Sequence, residues 1–255
     1  MSATSFKGRH AVVTGGGRGI GRAIAAALVG SGATVTVIGR GREALDQAVA
    51  EGEAHGAVVA DVTDRESVHA AVRDAVTRFG PVDLLIANAG AAASAPFMKS
   101  GSDVFRQMLD VNLIGVVNAA QAVLGPMSER GFGRIVAVAS TAGLKGYPYV
   151  SAYCAAKHAV IGLVRALTLE TAKTGVTVNA VCPGFTDTDL VAGSLERIVA
   201  KTGRTREEAL SEFVKHNPQG RLIEPAEVAE AVLWLCGEGA RSVTGQAIVV
   251  AGGEL

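Results

Sequence analysis

Three residues of this chain have the types and spacing to move a proton on and off an oxygen atom. Tyr153 and Lys157 lie four apart in Ser151-Ala-Tyr-Cys-Ala-Ala-Lys157, and Ser140 precedes the tyrosine by thirteen residues. Side chains at i and i+4 stand one above the other on a helix. Free tyrosine titrates near about pH 10, and a neighbouring cation favours the phenolate, so the lysine is expected to pull the phenol toward neutrality. A phenol so tuned can give a proton to an alcohol oxygen or take one from it, and a serine hydroxyl nearby could hold that oxygen. The trio suggests interconversion of a carbonyl and an alcohol. It leaves open where the hydride goes.

The elements that must position these residues alternate along the chain. His10–Thr14, Thr34–Ile38, Ala57–Ala60, Asp83–Ala87, Gly133–Val138, Val176–Val181 and Ala247–Val250 are short β-branched runs that read as strands. Between them apolar residues recur at helical spacing: Ile20, Ile24 and Leu28, then Val68, Ala71, Val72, Ala75 and Val76. Seven apolar strands separated by helices predict an α/β fold, a doubly wound Rossmann-type parallel sheet of seven strands with helices on both faces. No linker, repeat or low-complexity tract interrupts the pattern, so residues 1–255 read as one domain. The charged stretch 186–220 is longer than a crossover requires and is expected to be a substrate lid at the carboxyl edge of the sheet.

Composition narrows the function classes. The chain has 255 residues, 49% of them hydrophobic and 19% charged, enough apolar material for a substantial core. Twenty-four basic residues balance twenty-four acidic ones. Without a broad positive field, nucleic acid is not an expected partner, and a neutral surface favours assembly. Cys154, Cys182 and Cys236 are odd in number and widely spaced, which fits neither a disulfide framework nor a metal site. Met1–Arg9 lacks the apolar core of a signal peptide, and no run approaches the roughly 18 apolar residues of a membrane span. A soluble cytoplasmic protein without a membrane partner is the expectation.

Thr14-Gly-Gly-Gly-Arg-Gly-Ile-Gly21 joins the first strand to the first helix, the context that a dinucleotide fingerprint requires. Gly15 permits a tight turn, Gly19 lets backbone approach a pyrophosphate, and Gly21 lets helix pack close to sheet. Glycines at this spacing, Asn88-Ala-Gly90 after the fourth strand, Asn112, Ser140, Tyr153, Lys157 and Pro183-Gly184 together resemble the short-chain dehydrogenase/reductase family. The resemblance runs from about Gly8 to Gly253.

That resemblance implies an oxidoreductase acting on CH–OH groups, with Tyr153 as proton donor or acceptor and Lys157 lowering its pKa while holding the nicotinamide ribose. Ser140 would bond the substrate oxygen, and Asn112 would bind a water linking Lys157 to solvent. Cofactor contacts are implied for Gly15, Arg18, Gly19, Ile20, Gly21, Asp61, Val62, Asn88, Ala89, Gly90, Tyr153, Lys157, Pro183, Gly184, Thr186 and Thr188. Asp61 would bind the adenine, and Thr186 and Thr188 the nicotinamide carboxamide and phosphate. The second strand ends Ile38-Gly-Arg40 with no carboxylate for a ribose hydroxyl. Arg40 offers a planar fork of donors to a 2′-phosphate, and Arg18 could meet the same phosphate, so NADP(H) is favoured while NAD(H) stays open.

Leu144, Tyr147 and Val191 are the expected apolar wall for substrate, with Lys145 read as a solvated loop lysine. The overall cast resembles 3-oxoacyl thioester reductases and 3-hydroxyacyl dehydrogenases, so a ketone/alcohol couple on an acyl-carrier or coenzyme A thioester is the leading expectation. A polyketide, steroid or sugar-like ketone is the alternative, and a dinucleotide sensor without turnover is a distant one. Apolar helices around 112–127 and 151–173 exceed what one sheet face can cover, which predicts a homodimer or homotetramer.

Overall fold

A computed structural model describes residues 5–255. Seven strands form one parallel sheet: β1 (His10–Thr14), β2 (Thr34–Gly39), β3 (Gly56–Val59), β4 (Leu84–Ala87), β5 (Gly133–Val138), β6 (Val176–Pro183) and β7 (Ala247–Val250), in the order β3-β2-β1-β4-β5-β6-β7. The β3 and β4 boundaries differ by one residue from the sequence reading, and β6 runs two residues further, carrying Pro183 into the ladder beside Val250.

Because strand side chains alternate, one strand feeds two cores. Val12 of β1 packs on one face with α3 (Arg65–Phe79), α5 (Gly115–Glu129) and α6 (Ser151–Thr171); Ala11 and Val13 pack on the other with α1 (Gly19–Gly30) and α9 (Pro225–Cys236). The remaining helices are α2 (Arg42–Ala50), α4 (Ser102–Leu109), α7 (Asp189–Thr202) and α8 (Arg206–Val214). The chain leaves β1 toward β2 and β3, then returns to β4 on the other side of β1. At such a reversal the loops beyond the strand ends part and leave a crevice. Both the glycine loop after β1 and Asn88-Ala-Gly90 after β4 lie there.

Segment 186–220 contains two helices, α7 and α8, with their own small core of Val191, Leu195 and Ala209. A parallel bridge between Thr186 and Ile223 closes the base of this excursion. Thr205 caps α8 reciprocally with Glu208, so the second helix has a locally encoded start.

Two helical stretches, 102–129 and 151–171, reach the length and mean hydropathy (1.4 and 1.2) of a membrane span, which corrects the expectation that none would. Packing against the sheet supplies the physical reason for their apolar character: Val116, Ala119, Val123, Val160 and Val164 all enter the core beneath it.

Candidate active site

The glycine loop is shaped by contacts that no side chain could share. A Cβ on Gly21 would lie 2.3 Å from the Gly15 carbonyl oxygen, and one on Gly15 would lie 2.9 Å from the Ala89 Cα. Gly15 and Gly19 also adopt positive φ, 66° and 53°, where glycine carries no Cβ penalty. The loop is pinned to β4 from the side: Thr14 Oγ1 accepts from the Asn88 and Ala89 amides at 3.0 and 3.1 Å, while Asn88 Nδ2 donates to the Thr14 and Gly15 carbonyls. Thr14 is the residue that sequence reasoning left out of the site; its place immediately before the first glycine was the available signal.

Gly19, Ile20 and Gly21 begin α1, whose first amides and positive dipole end face the crevice. Thr188 of the 186–220 segment reaches this loop, its Cγ2 3.3 Å from where a Gly19 Cβ would be. Arg18 and Arg40 are exposed at the same edge. The Arg40 guanidinium lies 3.9 Å from Asp61 Oδ2 with its side chain 74% exposed, leaving most of its donors in solvent. Asp61 sits beside the buried Val62; the Thr63 amide and hydroxyl, with Arg40 adding, hold its carboxyl below the usual range. A backbone cradle, a helix N-terminus and two exposed guanidinium groups form a donor set that fits a dinucleotide carrying an additional phosphate.

Tyr153 and Lys157 rise one turn apart on α6, and Ser140 follows β5. Ser140 Oγ accepts from the Ala142 amide at 3.1 Å, capping the short turn 141–143. Lys157 is buried and its Nζ donates to the Val138 carbonyl at 2.9 Å. Burial draws the ammonium down to about 8. Burial also pushes the Tyr153 phenol up to about 12, with the Ser140 hydroxyl pulling the other way. The expected downward shift does not appear: Lys157 Nζ is 5.7 Å from the Tyr153 ring centroid and tied to Val138, and loss of solvation outweighs the pull of the Ser140 hydroxyl.

Asn112 is fully buried in the π-helical turn 110–114 that joins α4 to α5. Its Nδ2 donates to the Ala91 and Met108 carbonyls, and its Oδ1 accepts from the Ala91 amide at 3.3 Å. One lone pair of that oxygen remains beside Gly90, where an added Cβ would meet Oδ1 at 2.8 Å and Lys157 Nζ at 3.6 Å. Wide turns of this kind interrupt the helical ladder and are frequent at functional sites.

After β6, Pro183 and Gly184 lead to Thr186, which is buried and donates to the Gly184 carbonyl at 3.0 Å; Thr188 donates in turn to Thr186. Of the three expected wall residues, Val191 departs from expectation. Val191 is buried within the 186–220 segment against Leu195 and Ala209, while Leu144 packs onto the main core. Tyr147 is half-buried, but its hydroxyl lies in a polar network with Thr141 and Glu254. Lys145 is ion-paired to Glu254 at 3.0 Å and is not simply solvated. Apolar positions in a charged segment seek their own core first, which sequence spacing does not reveal. Among the described residues no cluster of His, Cys, Asp and Glu could hold a metal ion.

A family model described as short chain dehydrogenase matches residues 9–198. The chain belongs to this family. It is similar to a putative ketoacyl reductase of Streptomyces coelicolor, 41% identical over 250 residues that make up 95% of each chain. It is also similar to the 3-oxoacyl-[acyl-carrier-protein] reductase FabG of Haemophilus influenzae, 34% identical over 97% of this chain and 98% of the relative. Among solved structures, a variant of the actinorhodin polyketide ketoreductase with NADPH matches with a TM-score of 0.92 at 40% identity, covering 96% of this chain and 97% of that one. This short-chain dehydrogenase is an NAD(P)-dependent oxidoreductase that interconverts a secondary alcohol and a ketone, with NADP(H) the favoured cofactor.

Proposed function

We propose that the enzyme reduces 3-oxoacyl groups carried as thioesters, with Tyr153, Ser140, Lys157 and Asn112 as its catalytic set. The observation that carries the reading is the pairing of a half-buried Tyr153 with a buried Lys157, with Ser140 acting on the phenol, at the carboxyl edge of the sheet that also bears the glycine cradle. Relatives named ketoacyl reductase and 3-oxoacyl-[acyl-carrier-protein] reductase support the substrate class.

NADPH, when bound, supplies the hydride. The residues proposed to hold it are Gly15, Arg18, Gly19, Ile20 and Gly21 of the glycine loop, Arg40, Asp61 and Val62 on the adenosine side, and Asn88, Ala89, Gly90, Pro183, Gly184, Thr186 and Thr188 around the crevice. Tyr153 and Lys157 would complete the set. A phenol at about 12 stays protonated at neutral pH, and an alkoxide is a far stronger base, so Tyr153 gives its proton to the new alcohol oxygen. Ser140 donates to that oxygen as charge develops on it. Lys157, still charged at pH 7, holds the ribose and relays to Tyr153 a proton taken from solvent through a water beside Asn112.

The rest of the reading concerns organisation. Residues 5–255 act as one domain, with 186–220 closing over the ketone as a lid. Leu144 and Tyr147 border the pocket at the far side from the cofactor. The protein works in the cytoplasm as a homotetramer or homodimer, without nucleic-acid or membrane partners. Support for assembly comes from exposed apolar side chains, including Leu169 at 80% and Met98 at 92%.

Loss of absorbance by NADPH tests the class. A 3-oxoacyl thioester is expected to be reduced with kcat/KM at least about tenfold above cyclic or steroidal ketones. Faster turnover of a bicyclic ketone would favour a carrier-bound polyketide, the second reading supported by the actinorhodin relative.

A further inference from the structure

Glu254 has a side chain only 2% exposed, unusual for a carboxylate. It is surrounded by groups from separate segments. Tyr147 gives its hydroxyl proton to Glu254 Oε1 and meets Thr141 Oγ1 at 2.7 Å. Lys145 Nζ pairs with the same carboxylate at 3.0 Å, and His216 Nδ1 approaches to 4.0 Å from the end of the lid. Gly184 leaves room for it: a Cβ there would lie 3.1 Å from Glu254 Oε2. The residues before it are fitted as closely, since a Cβ on Gly252 would lie 1.9 Å from Asn217 Oδ1.

The aromatic contacts complete the junction. Tyr147 packs edge-on against Phe185 and His216, with ring centroids 5.8 Å away in each case. Burial and the adjacent carboxylate raise the Tyr147 phenol, so it remains a donor to Glu254. The loop that follows Ser140, the loop that follows β6 and the base of the lid are therefore joined through one buried carboxylate.

We propose that Glu254 is a positioning and specificity-determining residue: it fixes Tyr147 and neutralises Lys145 on the loop beside the ketone, so that the site selects a ketone next to an uncharged ester or thioester over one next to a free carboxylate. The proposal rests on the reading that 141–147 borders the substrate. Lys145 unpaired would attract a carboxylate. Paired with Glu254 it presents no net charge, and a free 3-oxo acid gains nothing to offset its desolvation.

The test compares kcat and KM for 3-oxobutanoate and its ethyl ester, with NADPH, in three variants. Glu254→Gln keeps the shape and frees the ammonium; it should raise the acid-to-ester ratio of kcat/KM by about tenfold, mainly through KM for the acid. Lys145→Met should lower that ratio, because Glu254 then stands unpaired. The double variant should return to within about twofold of wild type. NADPH affinity should stay constant throughout.

A ratio unmoved by Glu254→Gln, or a double variant as poor with the acid as Lys145→Met, overturns the proposal; the latter would make Lys145 a direct ligand for the acid. Should Glu254→Gln fail to fold, an unchanged ratio in Lys145→Met overturns it equally. Poor turnover of thioesters alongside good turnover of simple esters would sink the thioester reading and leave this test standing.

Discussion

Between β1 and β4 the crevice is lined largely by main chain, whereas between β5 and the C-terminus it is lined by side chains; in the function proposed above, the first meets the cofactor and the second the ketone. On the first side, Thr14, Gly15, Gly21, Asn88 and Ala89 touch one another through backbone atoms, the Thr14 hydroxyl and the Asn88 amide, across two adjacent strands. On the second, Tyr147 reaches Glu254 over 107 residues of sequence. A backbone cradle tolerates almost no substitution and recognises what every dinucleotide shares. A side-chain cluster can be rebuilt one residue at a time, which suits the part that chooses the substrate.

The largest expected effect lies on the side-chain side. Tyr153→Phe removes one oxygen and should lower kcat by about 10³-fold or more, with NADPH affinity changed little. Titration calorimetry alongside single-turnover rates would separate the two quantities. Comparable loss of cofactor binding would mean that the phenol serves the cradle more than the chemistry.

The cradle is broken most directly at Gly21. An added methyl would sit 2.3 Å from a backbone oxygen that has no rotamer to yield, so Gly21→Ala should weaken NADPH binding by about tenfold or more. Gly30→Ala, at the other end of α1 with nothing within 4 Å, should leave the dissociation constant unchanged. Equal effects at both positions would show helix stability, not close approach, to be the cause.

The same contrast explains what could be read from sequence. The strands, the glycine loop and the i, i+4 relation of Tyr153 and Lys157 are local, and local patterns survive into three dimensions with boundaries shifted by a residue or two. The sign of the Tyr153 shift was not local. It depends on how much protein lies over the phenol, a fact that arises only when β5, β6 and α6 are assembled. Val191 was misplaced for a similar reason: apolar spacing in 186–220 marks a buried face without saying that α7 and α8 bury it between themselves. Glu254 gave no signal at all, since an acidic residue ordinarily reads as solvated.

Cofactor choice sits where the two sides differ least, because it rests on exposed side chains at the rim of the cradle. Arg40→Asp places a carboxylate where a 2′-phosphate needs donors and should lower the NADPH-to-NADH ratio of kcat/KM by about tenfold. Steady-state rates with each cofactor measure it, and an unchanged ratio would make Arg18 the principal phosphate ligand.

The smallest effect separates function from stability within the catalytic pair. A lysine at about 8 in the folded protein against an ordinary 10.5 is charged at neutral pH in a place that disfavours charge, a cost of about 3 kcal/mol by linkage. Lys157→Met removes that cost but also the hydrogen bond to Val138, worth about 1 kcal/mol. The inactive variant should then be about 2 kcal/mol more stable than wild type at pH 7. The folded pKa is depressed, so the penalty is complete below pH 8 and fades as pH rises from about 8 toward 10.5; wild type should close the gap over that window. Urea unfolding of both proteins across this range measures the crossing. A variant less stable than wild type at pH 7 would show that Lys157 holds the β5–α6 junction together as well as serving the chemistry, and the division between a structural cradle and a chemical side chain would have to be redrawn at that residue.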